Sequence, residues 1–195
     1  MKKIAVFASG NGSNFQAIAD AVREGRLHAE ICLVVSDKKD AYVLERAQTE
    51  HIDTFSFSPK EFNGKEDFEK AILLHLQERG VEFIVLAGYM RLIGSTLLRE
   101  FPSRIVNIHP SLLPAFTGKD AIGQAFEAKV NMTGVTVHYV DEGMDTGPII
   151  AQASVPIHQY DTREALQQRI QASEHMLYPT VLEELFKKEH IQVEG

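Results

Sequence analysis

The chain has 195 residues, of which 44% are hydrophobic and 24% charged, with a formal net charge of −7. That composition is long enough and apolar enough for a substantial core. It lacks the clustered cations that binding along a nucleic-acid polymer needs. No apolar run approaches the roughly 20 residues that span a bilayer. The single cysteine, Cys32, allows no internal disulfide, which fits a reducing cytoplasm. Lying within "ICLVV", it reads as a buried, inert thiol.

Taken in chain order, strands and helices alternate. "KIAVFA" (3–8) is a short apolar run that predicts a first strand rather than a leader peptide. "NFQAIADAVREG" follows with Phe15, Ile18, Ala19 and Val22 on one helical face and Gly25 placed as a C-cap. "AEICLVVSD" (29–37) predicts a strand, "AYVLERAQTEH" a helix, "DTFSFS" (53–58) a short strand and "GKEDFEKAILLHLQERG" an amphipathic helix. "VEFIVLAGY" (81–89) is the most apolar strand segment. A short helix near "STLLREF" leads to a strand in "SRIVNIH". "GVTVHYV" (134–140) and "PIIAQASVPI" (148–157), joined by a short Gly/Asp-rich link, predict an antiparallel hairpin. A long helix follows, with Pro179 as a candidate kink.

Continuous apolar strands separated by helices predict an α/β fold with a doubly wound, mostly parallel sheet. No repeat or linker interrupts it, so residues 1–195 read as a single domain. Ligands of such sheets bind beyond the C-terminal strand ends, where the strand order reverses. Three polar clusters are expected there: "SGNGSN", "GYMRLI" and "NIHP".

In "ASGNGSNF", Gly10 and Gly12 permit a tight turn and close approach of a ligand, while Ser13 and Asn14 read as N-cap residues. Helix N-terminal amides make an anion seat. The loop partly matches the dinucleotide pattern, but Phe15 stands where its third glycine belongs. That bulk favours a monophosphate over a pyrophosphate; a plain capped turn is the alternative reading, and Ser13 and Asn14 at the helix start tilt the balance towards phosphate.

In "NIHP", Asn107 and His109 lie two apart, so a strand points both to one face. An amide donor beside an imidazole suits stabilisation of an oxyanion in acyl transfer, although an isolated pair of this kind reads more readily as a satisfied strand-end histidine. Asp145, in the loop "DEGMDTGP", is placed to reach back to His109 and orient it. Asp141 and Glu142 read equally as site residues or solvated turn acids. His138 reads as site lining or as a core histidine, the core reading being preferred. No metal-binding spacing is present, and no G-x-S-x-G elbow accompanies Ser111, so neither a metal centre nor a serine hydrolase is expected.

Together "ASGNGSNFQAI", "VLAGYMRLI", "NIHPSLLPAF", "GVTVHYVDEGMDTGPII" and "ASEHMLYP" resemble the phosphoribosylglycinamide formyltransferases of purine biosynthesis, in order from about residue 3 to 190. "NIHPSLLP" and D-x-G-P-I are shared with the wider 10-formyltetrahydrofolate transferases, and "GNGSN" singles out the ribonucleotide enzymes. The resemblance implies a Rossmann-like formyltransferase fold, with the N-terminal half binding the ribonucleotide and the C-terminal half binding folate and carrying catalysis. It implies a catalytic trio of Asn107, His109 and Asp145. Gly12, Ser13 and Asn14 would hold the 5′-phosphate and Glu174 the glycinamide ribonucleotide near its amine or ribose. Lys65, Met90, Arg91, Leu92, Ile93 and Asn107 would border the folate, with the backbone at Val140, Asp141 and Glu142 meeting its pterin ring. The co-substrate would be 10-formyltetrahydrofolate, without a metal. The partners would be small molecules only, with no nucleic acid or membrane, for a cytoplasmic monomer or homodimer.

One stretch departs from the family pattern. Some relatives carry histidines after "HPSLLP", where this chain has Lys119 and Asp120. Three rivals remain. A tRNA formyltransferase normally has a further C-terminal domain and a basic surface, and a formyltetrahydrofolate hydrolase normally has an N-terminal regulatory domain. A non-catalytic nucleotide-binding module would have no use for an intact trio.

Overall fold

A computed structural model describes residues 1–193; Glu194 and Gly195, at the end of the expected 1–195 domain, lie outside the described residues. The strands are β1 (Lys2–Phe7), β2 (Ala29–Ser36), β3 (Thr54–Ser56), β4 (Phe83–Leu86), β5 (Ile105–His109), β6 (Met132–Tyr139) and β7 (Ile149–Pro156). The α-helices are α1 (Ser13–Arg23), α2 (Tyr42–Thr49), α3 (Lys65–Glu78), α4 (Ser95–Glu100), α5 (Ala121–Glu127) and α6 (Arg163–Val193). The strands form one seven-stranded sheet in the order β3-β2-β1-β4-β5-β6-β7. The strands from β3 to β5 pair in parallel, while β6 is antiparallel to both β5 and β7. The doubly wound sheet with an antiparallel hairpin is thus the architecture that the apolar runs predict.

Two apolar layers cover the sheet. On one face, Ile4, Val6, Val34 and Val85 pack with Phe15 and Ile18 of α1 and with Tyr178, Leu182 and Phe186 of α6. On the other, Ala5, Phe7, Leu33 and Ile84 pack with Phe68, Ile72 and Leu76 of α3 and Leu97 of α4. Each fully buried Leu, Ile or Phe side chain contributes about 1.5–3 kcal/mol of burial energy. The parallel strands therefore have little choice but to read as apolar throughout.

Four local expectations change. The run 81–89 yields a strand of only four residues, β4, because Ala87 to Leu92 leave the sheet as a loop. Gly12, with φ +79, is the N-cap of α1, so Ser13 and Asn14 are its first two helical residues. Helix α5 arises in the segment around Lys119–Asp120, where Asp120 accepts a hydrogen bond from the Gly123 amide and pairs with Arg163. Cys32 is half-buried rather than buried. Partial desolvation and the neighbouring Glu30 push its thiol pKa up, so it stays a poor nucleophile. Gly25, at φ +74, stands just past α1 as a helix terminator should. Pro179 lies inside α6.

Candidate active site

The order of strands reverses between β1 and β4, and the loops after both strands meet there. Ala87 donates its backbone N–H to Phe7, and Ser9 donates its N–H to Gly88 at 2.9 Å, extending the β1–β4 contact past the strands. A cleft of about 240 Å³ opens at this point, lined by Gly10, Gly12, Ser13, Asn14, Lys38 and Met90 among others. The glycine loop is pinned from outside. Val43 of α2 donates its N–H to the Gly10 carbonyl at 3.0 Å, and Arg46 donates to Asn11 through Nε and Nη2. Gly12 has no substitute here. A Cβ would stand 2.5 Å from Val43 Cγ2, in a backbone region that L side chains seldom adopt. No side chain caps α1, so its first N–H groups are free to face a ligand.

Asn14 Nδ2 donates to Glu174 Oε2 at 3.1 Å, which brings the far end of the chain to the glycine loop. Glu174 is buried, and desolvation pushes its carboxyl pKa up to about 7 against the opposing hydrogen bond from Asn14. Its place on α6 follows from Tyr178 one turn later. The Tyr178 hydroxyl donates its one proton to the Leu86 carbonyl at 2.7 Å, with the Val106 carbonyl 3.3 Å away, fixing α6 to β4 and β5. Residues four apart share a helix face, so the same anchoring turns Glu174 towards the sheet.

On β5, Asn107 and His109 share a face, opposite His138 and Thr136 of β6 in antiparallel register. His109 Nδ1 lies 3.5 Å from Asp145 Oδ1, and its Nε2 lies 2.8 Å from the Phe116 carbonyl. A carbonyl and a carboxylate only accept, so a ring protonated at both nitrogens satisfies both neighbours. Asp145 Oδ2 also accepts from the Gly118 amide at 2.8 Å, which holds the carboxylate in place at a residue with φ +57. The structure thus brings Asn107, His109 and Asp145 together.

It adds His138, for which the sequence alone prefers a core reading over site lining. His138 is buried, and its Nε2 lies 3.3 Å from Asn107 Nδ2 and 4.0 Å from Asp145 Oδ1. Its Nδ1 lies 2.8 Å from the Tyr139 carbonyl, which can only accept. The proton therefore belongs on Nδ1, and Nε2 accepts from the Asn107 amide. Burial pushes the His138 pKa down, favouring this neutral form. One Asn107 N–H is then fixed and the amide cannot flip freely. The signal was present in the sequence: a two-residue alternation placing Thr136 and His138 on one face of a strand paired with "NIH".

The turn after His109 is rigid. Ser111 is fully buried, and its hydroxyl donates to the Ala115 carbonyl at 2.6 Å. Thr136 donates to the Ser111 carbonyl and accepts from the Leu113 amide and from Gln152. Ser111 is a turn residue and not a nucleophile. Gln124 of α5 ties down the carbonyls of Thr117 and Lys119, so the departing Lys119–Asp120 stretch is a capped helix start.

The residues expected around folate divide. Met90 and Leu92 expose large apolar side chains, and Arg91 is partly exposed. Ile93 instead turns into the core, so only its backbone is offered to a ligand. Lys65 starts α3 beside Gly94, at the far end of the same loop. Val140 is half-buried, with its N–H bonded to the Ile105 carbonyl. Asp141 and Glu142 are exposed. Asp141 accepts from the Thr146 hydroxyl and the Gly143 amide, which pulls its pKa down and folds the loop carrying Asp145.

The formyl transferase family profile matches residues 2–182. The chain belongs to the formyl transferase family. It is 57% identical over 185 residues to the phosphoribosylglycinamide formyltransferase of Bacillus subtilis (strain 168), covering 95% of each chain. Its structure matches that of glycinamide ribonucleotide transformylase 1 from Geobacillus kaustophilus with a TM-score of 0.93, at 60% identity over 95% of this chain and 98% of that one. The phosphoribosylglycinamide formyltransferase of Bacillus halodurans gives a TM-score of 0.93 at 52% identity, covering 96% and 97% of the two chains. The fold and the formyltransferase character expected from the motifs are those of these relatives.

Proposed function

We propose that the chain transfers the formyl group of 10-formyltetrahydrofolate to the amine of glycinamide ribonucleotide, a step of purine biosynthesis, and does so as one formyltransferase domain in the cytoplasm. The observation that carries the mechanism is the cluster on β5 and β6: Asn107 held by neutral His138, and His109 held between Asp145 and the Phe116 carbonyl. Such a cluster offers preorganised N–H donors where negative charge develops. Consistent with a small-molecule enzyme, no helix among the described residues is long and apolar enough to cross a membrane.

The ribonucleotide phosphate sits against the free amides of α1, from Gly12 to Asn14, and Glu174 takes the part of the molecule next to its reactive end. Folate lies against Met90, Arg91 and Leu92, with Lys65 further out and the backbone of 140–142 along its ring. The amine nitrogen attacks the formyl carbon, and the carbonyl oxygen gains negative charge. Asn107 donates its remaining N–H to that oxygen. His109, as an imidazolium with Asp145 at Nδ1, turns its Nε2–H from the Phe116 carbonyl to the same oxygen. The tetrahedral centre then collapses with cleavage of the bond to N10. The proton lost by the amine passes through water to N10, giving tetrahydrofolate and formylglycinamide ribonucleotide. No enzyme bond to substrate forms.

The test is an assay of purified protein with 10-formyltetrahydrofolate, with and without glycinamide ribonucleotide. Tetrahydrofolate should appear only when the ribonucleotide is present. Release of formate without it would assign a hydrolase, and no turnover in either arm would assign a binding module.

A further inference from the structure

Asp37 stands directly after β2 and takes no part in the chemistry above. Its side chain is only 3% exposed, and a buried carboxylate needs partners. It has two, on two different loops. Oδ1 accepts from the Ser9 hydroxyl at 2.5 Å, and Oδ2 accepts from Arg91 Nε at 2.8 Å. Ser9 Oγ in turn accepts from the Met90 backbone N–H at 2.9 Å. A hydroxyl that donates once and accepts once has a fixed direction, so the three bonds define one arrangement. Ser9 belongs to the loop after β1, whereas Met90 and Arg91 belong to the loop after β4.

The Met90–Leu92 segment has little else to hold it. Met90 and Leu92 are exposed at 68% and 43%. The Arg91 guanidinium sits 5.9 Å from the Phe68 ring centroid and spends its Nε on Asp37, leaving its outer edge open. Core packing resumes only at Ile93. Asp37 and Ser9 are therefore what tie this segment, backbone and side chain, to the rigid ends of β1 and β2.

We propose that Asp37 and Ser9 are positioning residues for the 10-formyltetrahydrofolate side of the site, acting through Met90 and Arg91, although Ser9 belongs to the ribonucleotide-side loop. The inference rests on the assignment of residues 90–92 to folate. A purely structural acid in the same place would govern melting temperature and neither Michaelis constant. Asp37→Asn preserves volume and an acceptor for Ser9 but turns an amide towards Arg91. Ser9→Ala removes both the acceptor of the Met90 amide and the hydroxyl donor to Asp37 Oδ1, while leaving the Asp37–Arg91 pair in place.

The experiment measures kcat and both KM values for the full chain, wild type, Asp37→Asn, Ser9→Ala and the double variant, with melting temperatures alongside. Each single variant should raise KM for 10-formyltetrahydrofolate by about five- to twentyfold, the usual reach of one charge-assisted or backbone hydrogen bond. That rise should exceed both the fall in kcat and any rise in KM for the ribonucleotide by at least about threefold. The double variant should fall short of the product of the singles, because both bonds hold one segment. Any other pattern in an active enzyme overturns the inference, including lowered melting temperatures with unchanged folate KM or an effect confined to the ribonucleotide. Absence of wild-type turnover has a different signature: it removes the folate assignment itself, and the inference with it.

Discussion

On the side proposed to hold the ribonucleotide, the site is made of backbone. Gly10 and Gly12 open the chain, α1 begins without a side-chain cap, and α2 pins the loop through Val43 and Arg46. On the side proposed to carry the reaction, it is made of side chains. Asn107, His109, His138 and Asp145 meet across two strands and a loop, each with its hydrogen bonds largely taken by protein. The difference follows from what each side has to do. A phosphate arrives with its charge complete, so fixed amides and a helix end suffice. An oxyanion exists only during reaction, so its donors must be held in place beforehand by other polar groups.

Substitutions on the two sides should therefore fail in different ways. The largest loss is expected at the trio: His109→Ala and Asp145→Ala should each lower kcat by about 10²–10³ while leaving the melting temperature near that of wild type. Steady-state kinetics with both substrates saturating gives the answer, and turnover within a few-fold of wild type would remove either residue from the chemistry. Next comes His138, which touches Asn107 and not the substrate. His138→Ala should cost about 10- to 100-fold in kcat with little change in either KM. His138→Gln should recover much of that, because its Oε1 can accept the same N–H. Failure of the glutamine to rescue would argue for a packing role alone.

On the backbone side, Gly12→Ala should act through shape. The forced φ and the collision with Val43 cost about 1–3 kcal/mol of stability and raise KM for the ribonucleotide more than KM for folate. Thermal melts and a pair of KM values separate the two effects, and an unchanged ribonucleotide KM would count against the phosphate seat. The smallest effect is a pH dependence. Glu174 is raised to about 7 in the folded chain, above the 4.5 of an ordinary glutamate. The unfolded chain therefore releases this proton first, and stability present below about pH 4.5 is lost as pH climbs through about 7. Melting temperatures of wild type and Glu174→Gln should diverge across that interval and run parallel above it. Parallel curves throughout would mean that Glu174 is not desolvated.

The parallel half of the fold was legible because strands buried on both faces admit few polar residues, and Gly25 and Gly80 mark helix ends. The grouping of Asn107, His109 and Asp145 was legible only through the family resemblance, because an amide and an imidazole two apart on a strand are weak evidence alone; the structure brings the three together. Other features depended on neighbours distant in sequence. His138 acquires meaning only from its register with Asn107, Ile93 from its packing on α3 and α4, and Asp37 from loops reached through β1 and β4. Helix α5 was hidden because it is only seven residues long, too short for Ala121, Ile122, Ala125 and Phe126 to stand out as a helical period, and its start is set by a capping contact at Asp120.

Everything proposed for the chemistry turns on a preorganised Asn107 amide that stabilises the oxyanion during direct formyl transfer. Single-turnover formation of tetrahydrofolate by Asn107→Ala, with glycinamide ribonucleotide and enzyme in excess over 10-formyltetrahydrofolate, tests it without interference from product release. The chemical step should be slowed by at least about 10²-fold with ribonucleotide affinity retained. A chemical step within a few-fold of wild type would contradict it.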